Sequence, residues 1–70
     1  MLRVKEVRKE KGFTQQELAQ KLNIPQQEIS RIEKEKNNVT VKNLLKVALA
    51  LNVSVDELID YKVAKKELYN

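Results

Sequence analysis

Seventy residues with no cysteine and no histidine bound the chain to one domain, without disulfides, thiolate chemistry or the usual zinc sites. No stretch approaches the ~20 apolar residues of a membrane span, and MLRVKEVRKE lacks the apolar core of a secretion signal, so a cytoplasmic location is expected. Net charge is +4, unevenly placed: residues 1–46 hold eleven Lys and Arg against six Asp and Glu, residues 47–70 three against four. A basic N-terminal two-thirds beside a near-neutral end suits a polyanion-facing surface and a separate association surface. The same total is also ordinary for a helical domain's solvated surface.

The first helix is predicted over about Leu2 to Lys11, with Val4 and Val7 inward. Gly12 stands just past its end, where left-handed geometry is favoured. Phe13 is the only phenylalanine and a candidate core anchor. Thr14 then offers an N-cap, and Glu17, three residues on, completes a capping-box pattern. The second helix follows over about Gln15 to Leu22, with Leu18, Ala19 and Leu22 as its apolar face. Asn23 tolerates the left-handed region, and Pro25 forbids continuation while suiting the opening of a third helix.

The third helix, about Gln26 to Lys34, divides sharply. Ile29 and Ile32 point one way; Gln26, Gln27, Ser30, Arg31 and Lys34 point the other, within roughly 140° at ~100° per residue. That arc is a continuous edge of amides, a hydroxyl and cations, the composition of a recognition helix. The connection EKNNV leads to Thr40, the expected N-cap of a fourth helix over about Val41 to Leu51. Val41, Leu44, Leu45, Ala48 and Leu51 form one face of it, which Val47 and Leu49 widen on both sides. So broad a face implies a helix packed on two sides or one whose margin meets a partner subunit. Ser54 caps a short fifth helix, with Glu57 completing a second capping box and Leu58 and Ile59 facing in. In the tail, Tyr61, Ala64 and Leu68 fit a helical face, while Tyr61 and Val63 fit a short strand.

A helix-turn-helix needs a small residue where its helices cross, a turn residue able to take positive φ four positions later, and a buried branched residue six beyond that. Ala19, Asn23 and Ile29 meet this spacing, with Leu18, Leu22, Ile24 and Ile32 in the surrounding apolar slots. With VKEVRKEKGFTQ before the motif and VTVKNLLKVALALNVSVDELI after it, the chain resembles the phage-repressor and Cro-type helix-turn-helix family over about residues 2 to 60. The resemblance implies an all-α, five-helix DNA-binding domain over residues 1–60, with the helix-turn-helix in helices two and three. Residues 61–70 form a C-terminal tail that is a candidate part of a dimer interface.

The resemblance also distributes roles. Gln26 and Gln27 stand at the end of the third helix that family members push deepest into the major groove, where a glutamine can pair bidentately with adenine. Ser30 and Arg31, one turn on, are further base-contacting candidates, Arg31 with a phosphate as its other possible target. Lys34 is a candidate phosphate ligand. Gln15 matches the family's phosphate-contacting glutamine at the start of the second helix, where free amides and the dipole favour an anion, with Gln16 beside it. Lys36, Asn37, Asn38, Lys42 and Asn43 would form a second backbone clamp, although the Asn pair also reads as a plain loop. Arg8 and Glu33 occupy the places of a structural ion pair joining helix one to the end of helix three. Three residues depart from the family pattern: Asn23 for a turn glycine, Pro25 for a Ser or Thr N-cap, and Glu35 for a glycine closing helix three.

Catalysis has little support. The candidate nucleophiles are Ser30, Ser54, Thr14 and Thr40, three of them caps; Asp56, Glu57 and Asp60 read as a solvated face, and no glycine-rich phosphate loop exists. No enzyme activity, metal, cofactor or small-molecule effector is expected. The expected partners are operator DNA and a second copy of the chain. The reading is a sequence-specific repressor acting as a homodimer on a near-palindromic operator, with Leu49, Val55, Ile59, Tyr61 and Val63 at the dimer interface. The charged, tyrosine-containing tail reads as a finished terminus. Two rivals stand beside it: the antitoxin of a toxin–antitoxin pair, binding DNA and a partner protein, and a protein-interaction module with the fold alone.

Overall fold

The computed structural model describes residues 2–34, 39–62 and 65–66. Among the described residues its elements are the α-helices α1 (Val4–Glu10), α2 (Gln15–Leu22), α3 (Gln26–Lys34) and α4 (Val41–Leu51), then a 3₁₀ turn at Val55–Leu58, with helical residues again at 61–62 and 65–66. The fold is all-α, as expected. The fifth expected helix is this single 3₁₀ turn.

Each boundary has a local cause. Val4 and Val7 of α1 are buried, and Gly12 takes φ of 80° just beyond its end, donating its N–H to the Lys9 carbonyl at 3.0 Å. The helix is shorter than the expected Leu2–Lys11 because Leu2 pairs in an isolated antiparallel bridge with Ile59 and the Arg3 N–H donates to the Leu58 carbonyl at 2.8 Å. A backbone committed to that contact cannot also begin a helix. Phe13 is half-buried against the core, with the Lys21 ammonium 5.1 Å from its ring centre. A cation at that distance is attracted by the ring face and keeps its own head in water.

At α2 the capping box is complete. Glu17 N–H donates to Thr14 Oγ1 at 3.0 Å and Thr14 N–H donates back to Glu17 Oε1 at 2.9 Å. The Thr14 amide, ahead of its hydroxyl, holds the Glu17 carboxyl below the usual carboxylate range. Asn23 ends α2 in the left-handed region at φ 57°, and Pro25 accepts from the Glu28 N–H at 3.0 Å as α3 begins. Thr40 caps α4 by accepting from the Asn43 N–H at 3.2 Å, and Asn52 closes it with the same left-handed geometry as Asn23. At the 3₁₀ turn Ser54 N–H donates to Glu57 Oε2 at 3.1 Å. Ile59 then goes extended to meet Leu2, which is why the turn does not grow into a helix.

The core gathers Val4 and Val7 from α1, Leu18 and Ala19 from α2, Ile29 and Ile32 from α3, Val47, Ala48, Ala50 and Leu51 from α4, and Leu58 from the 3₁₀ turn. Ala19 is buried in the packed α2–α3 pair, a small side chain where two backbones approach.

The face of α4 differs from the sequence expectation. Val41, Leu45 and Leu49 are 74%, 48% and 80% exposed, while Val47 and Ala50 are buried beside Ala48 and Leu51. The helix is turned by roughly 70° at ~100° per residue from the expected orientation, because α1, α2 and the 3₁₀ turn pack on its Val47–Leu51 side. The outcome is an exposed apolar ribbon at i, i+4 and i+8.

Candidate nucleic-acid interface

The site is built on a buried ion pair. Arg8 Nε donates to Glu33 Oε2 at 2.6 Å and Arg8 Nη2 to Glu33 Oε1 at 3.4 Å, with side chains only 8% and 4% exposed. Arg8 Nη1 donates to the Phe13 carbonyl at 2.7 Å, and Gln15 Nε2 donates to Glu33 Oε1 at 2.9 Å. Both carboxylate oxygens are therefore occupied, and among the described residues no buried side-chain nitrogen or oxygen lacks a partner. A buried charge pair contributes little net stability, yet breaking it strands the remaining charge. Its effect here is geometric: α1, the start of α2 and the end of α3 are tied at one point.

From that point hydrogen bonds run outward. Gln15 Oε1 accepts from Gln26 Nε2 at 3.4 Å, so the chain Arg8–Glu33–Gln15–Gln26 leads from the buried pair to the exposed start of α3. Gln26 and Gln27 are exposed, and Ser30 is half-buried beside them. With Gln15 these three line an uncharged hollow of about 270 Å³. Amides and a hydroxyl both donate and accept, which is the repertoire that reads base edges in the major groove.

Residues 4–58 match the pattern that defines the Helix-turn-helix family. The chain belongs to the repressor-type helix-turn-helix family. It is 41% identical over 61 residues to the HTH-type transcriptional regulator SinR of Bacillus subtilis (strain 168), an overlap of 86% of this chain and 55% of that protein. It is 34% identical over 65 residues to the Immunity repressor protein of Bacillus phage phi105, covering 93% of this chain and 45% of the repressor. It is 39% identical over 64 residues to Antitoxin HipB of Escherichia coli (strain K12), covering 91% of this chain and 72% of the antitoxin. The chain spans about half the length of the first curated relatives it matches.

The other candidate residues of this helix-turn-helix chain fall into three groups. Arg31 sits on the exposed side of α3, where its Nη2 donates to Glu28 Oε2 at 2.7 Å and its Nε to Glu28 Oε1 at 3.4 Å. That hydrogen bond holds the Glu28 carboxyl below the usual carboxylate range. Glu28 was absent from the sequence candidates, although its i, i+3 spacing to Arg31 is visible in the chain. Gln16, Lys34 and Lys42 are exposed and Asn43 is half-buried; Lys36, Asn37 and Asn38 lie outside the described residues, as does Glu35.

The interface candidates at the other end separate in the same way. Leu49 is exposed and Tyr61 is 58% exposed, its hydroxyl donating to Asp56 Oδ1 at 2.7 Å, a bond that raises the tyrosine's pKa. Val55 is half-buried against the core, and Ile59 is half-buried in the bridge to Leu2. Each therefore contributes to the protomer's own packing and keeps part of its surface accessible. Val63 lies outside the described residues; Tyr61 and Lys62, and again Lys65 and Lys66, are helical. No described helix is long and apolar enough to cross a membrane.

Proposed function

We propose that the chain is a sequence-specific double-stranded DNA-binding repressor that acts in the cytoplasm as a homodimer on a near-palindromic operator. The observation that carries this reading is the uncharged edge of exposed Gln26 and Gln27 and half-buried Ser30, of which Gln26 is tied through Gln15 to the buried Arg8–Glu33 pair. A reading edge must hold its donors and acceptors in fixed positions to distinguish base pairs. The names of SinR and the phi105 immunity repressor agree with the regulatory class.

In this reading Gln26, Gln27, Ser30 and Arg31 meet base edges, while Gln15, Gln16, Lys34, Lys36, Asn37, Asn38, Lys42 and Asn43 grip phosphates. Arg31 must exchange Glu28 for its DNA partner. Backbone contacts set register and supply affinity, and the base contacts supply sequence. Two protomers present their α3 helices one turn of DNA apart, with half-sites ~10 bp centre to centre. Leu49 and Tyr61, with Val55, Ile59 and Val63, form the dimer contact, and the exposed Leu45 extends it.

Selection of bound sequences from a random duplex pool tests the whole proposal. A near-palindromic consensus with that spacing is the expected result; recovery of no enriched sequence would refute sequence-specific binding.

The likeness to Antitoxin HipB favours a second reading, in which the same DNA-binding domain also occupies a partner protein. Size measurement of the chain isolated from its native cell separates them: a homodimer supports the repressor reading, and a stoichiometric second polypeptide supports the antitoxin.

A further inference from the structure

The uncharged hollow has a charged neighbour. Gln15 and Ser30 line both it and a larger cleft of about 340 Å³, whose other walls include Lys5 and Glu6 of α1 and Glu33 and Lys34 of α3. Lys5 and Glu6 stand on the first turns of α1, while Ser30 and Lys34 stand on the last turns of α3, so the two helices face each other across the opening. The Glu33 carboxylate in its wall is already neutralised by Arg8 and bonded by Gln15. Lys5 and Lys34 are exposed, and among the described residues neither has a carboxylate partner.

We propose that this cleft is a phosphate site, and that Lys5 is a DNA-backbone ligand acting opposite Lys34. The inference rests on the DNA-binding reading above and adds to it a residue of α1, outside the helix-turn-helix. Continuity is the argument. The hollow lined by Gln26, Gln27 and Ser30 runs past Gln15 directly into a cleft with two ammonium groups that no described carboxylate pairs, and a strand whose bases meet the first places its backbone at the second. Ammonium groups grip phosphate as point charges without demanding one geometry. Glu6, a carboxylate of the wall that no described cation pairs, opposes an anion and so sets the sign of a second test.

The experiment measures binding of the selected operator duplex and of an unrelated duplex of equal length, across a salt series. Lys5→Gln should weaken both duplexes by the same factor and reduce the slope of log affinity against log salt by about 0.9, the value for one lost phosphate contact. Glu6→Gln should strengthen both. Lys46→Gln, on the exposed side of α4, removes the same charge from outside the cleft and gives the effect of net charge alone. Far-UV circular dichroism checks that these surface variants are folded. Lys5→Gln matching Lys46→Gln in slope, or weakening only the operator, would overturn the proposal while leaving DNA binding intact. A wild-type chain that binds neither duplex would instead remove the reading on which it rests.

Discussion

Helices α3 and α4 are of similar length and sit in the same core, yet they divide their surfaces differently. In α3 every apolar residue is buried and the opposite edge is polar throughout, so one rotation about the axis is strongly preferred. In α4 eight of the eleven residues from Val41 to Leu51 are valine, leucine or alanine, spread around the helix, and Val41, Leu45 and Leu49 end outside. Contrast, and not apolarity, determines which way a helix faces. The helix with high contrast carries the candidate DNA edge; the one with low contrast carries the spare apolar surface.

The largest effect is expected where α3 is tied down. Glu33→Ala should destabilise the domain by about 3–5 kcal/mol, because Arg8 is left charged and buried and Gln15 loses its acceptor. Since small domains have a total stability of roughly 5–15 kcal/mol, urea unfolding followed by circular dichroism should show a chain close to its limit. A change below about 1 kcal/mol would mean that water reaches Arg8 and that the pair does not hold α3.

Next comes the reading edge itself. Gln27→Ala should leave the fold unchanged and cost about 1–3 kcal/mol of discrimination at the preferred operator, with binding to unrelated duplex nearly intact. Competition titration with both duplexes measures the ratio. Equal losses on both would reassign the amide to the backbone, and the contrast between the two sides of α3 would lose its functional meaning.

These same regions explain what could be read in the chain beforehand. The limits of α2, α3 and α4 were legible because Thr14, Asn23, Pro25 and Thr40 act on their own neighbours, through caps and φ restrictions that span only a few residues. The Leu2–Ile59 bridge joins positions too distant to show any local sign, and it takes Leu2 and Arg3 out of the expected start of α1 and holds the last element to a 3₁₀ turn. The bond from Gln15 to Glu33 was equally silent, since a glutamine amide on a helix start has many acceptors to choose from. The rotation of α4 is not legible in the chain because its residues allow two nearly equal solutions, and tertiary packing chooses between them.

A smaller effect should follow from the caps that made α2 legible. Thr14→Ala should cost about 1 kcal/mol by leaving the Glu17 amide without its acceptor. The Glu17 side of the box is tested by acid. Its folded-state pKa is depressed by the Thr14 bonds, so its contribution is complete above the ordinary glutamate value of about 4.3 and is lost as pH falls through the lower folded value. Thermal melts of wild type and Glu17→Gln should therefore differ at neutral pH and converge in acid. A gap that persists in acid would assign the effect to something other than the carboxylate's charge.

The smallest effect on folding should come from the other side of the comparison. Leu49 is 80% and Leu45 48% exposed, so the Leu45→Ser/Leu49→Ser double variant removes little that the protomer buries. Surface changes of this kind stay within about 0.5 kcal/mol each, and the urea midpoint at low protein concentration should barely move. Self-association should respond instead. Solvent-facing leucines one helical turn apart gain from burial only against another molecule, at roughly 25 cal/mol per Å² of apolar surface covered, and a two-fold contact would bury each of them twice. Light scattering at micromolar concentration should shift from dimer toward monomer, and operator binding should fall while the affinity for an isolated half-site holds. A double variant that unfolds would show that the ribbon is core after all. One that stays dimeric would move the contact off α4, to Tyr61 and the segment beyond it.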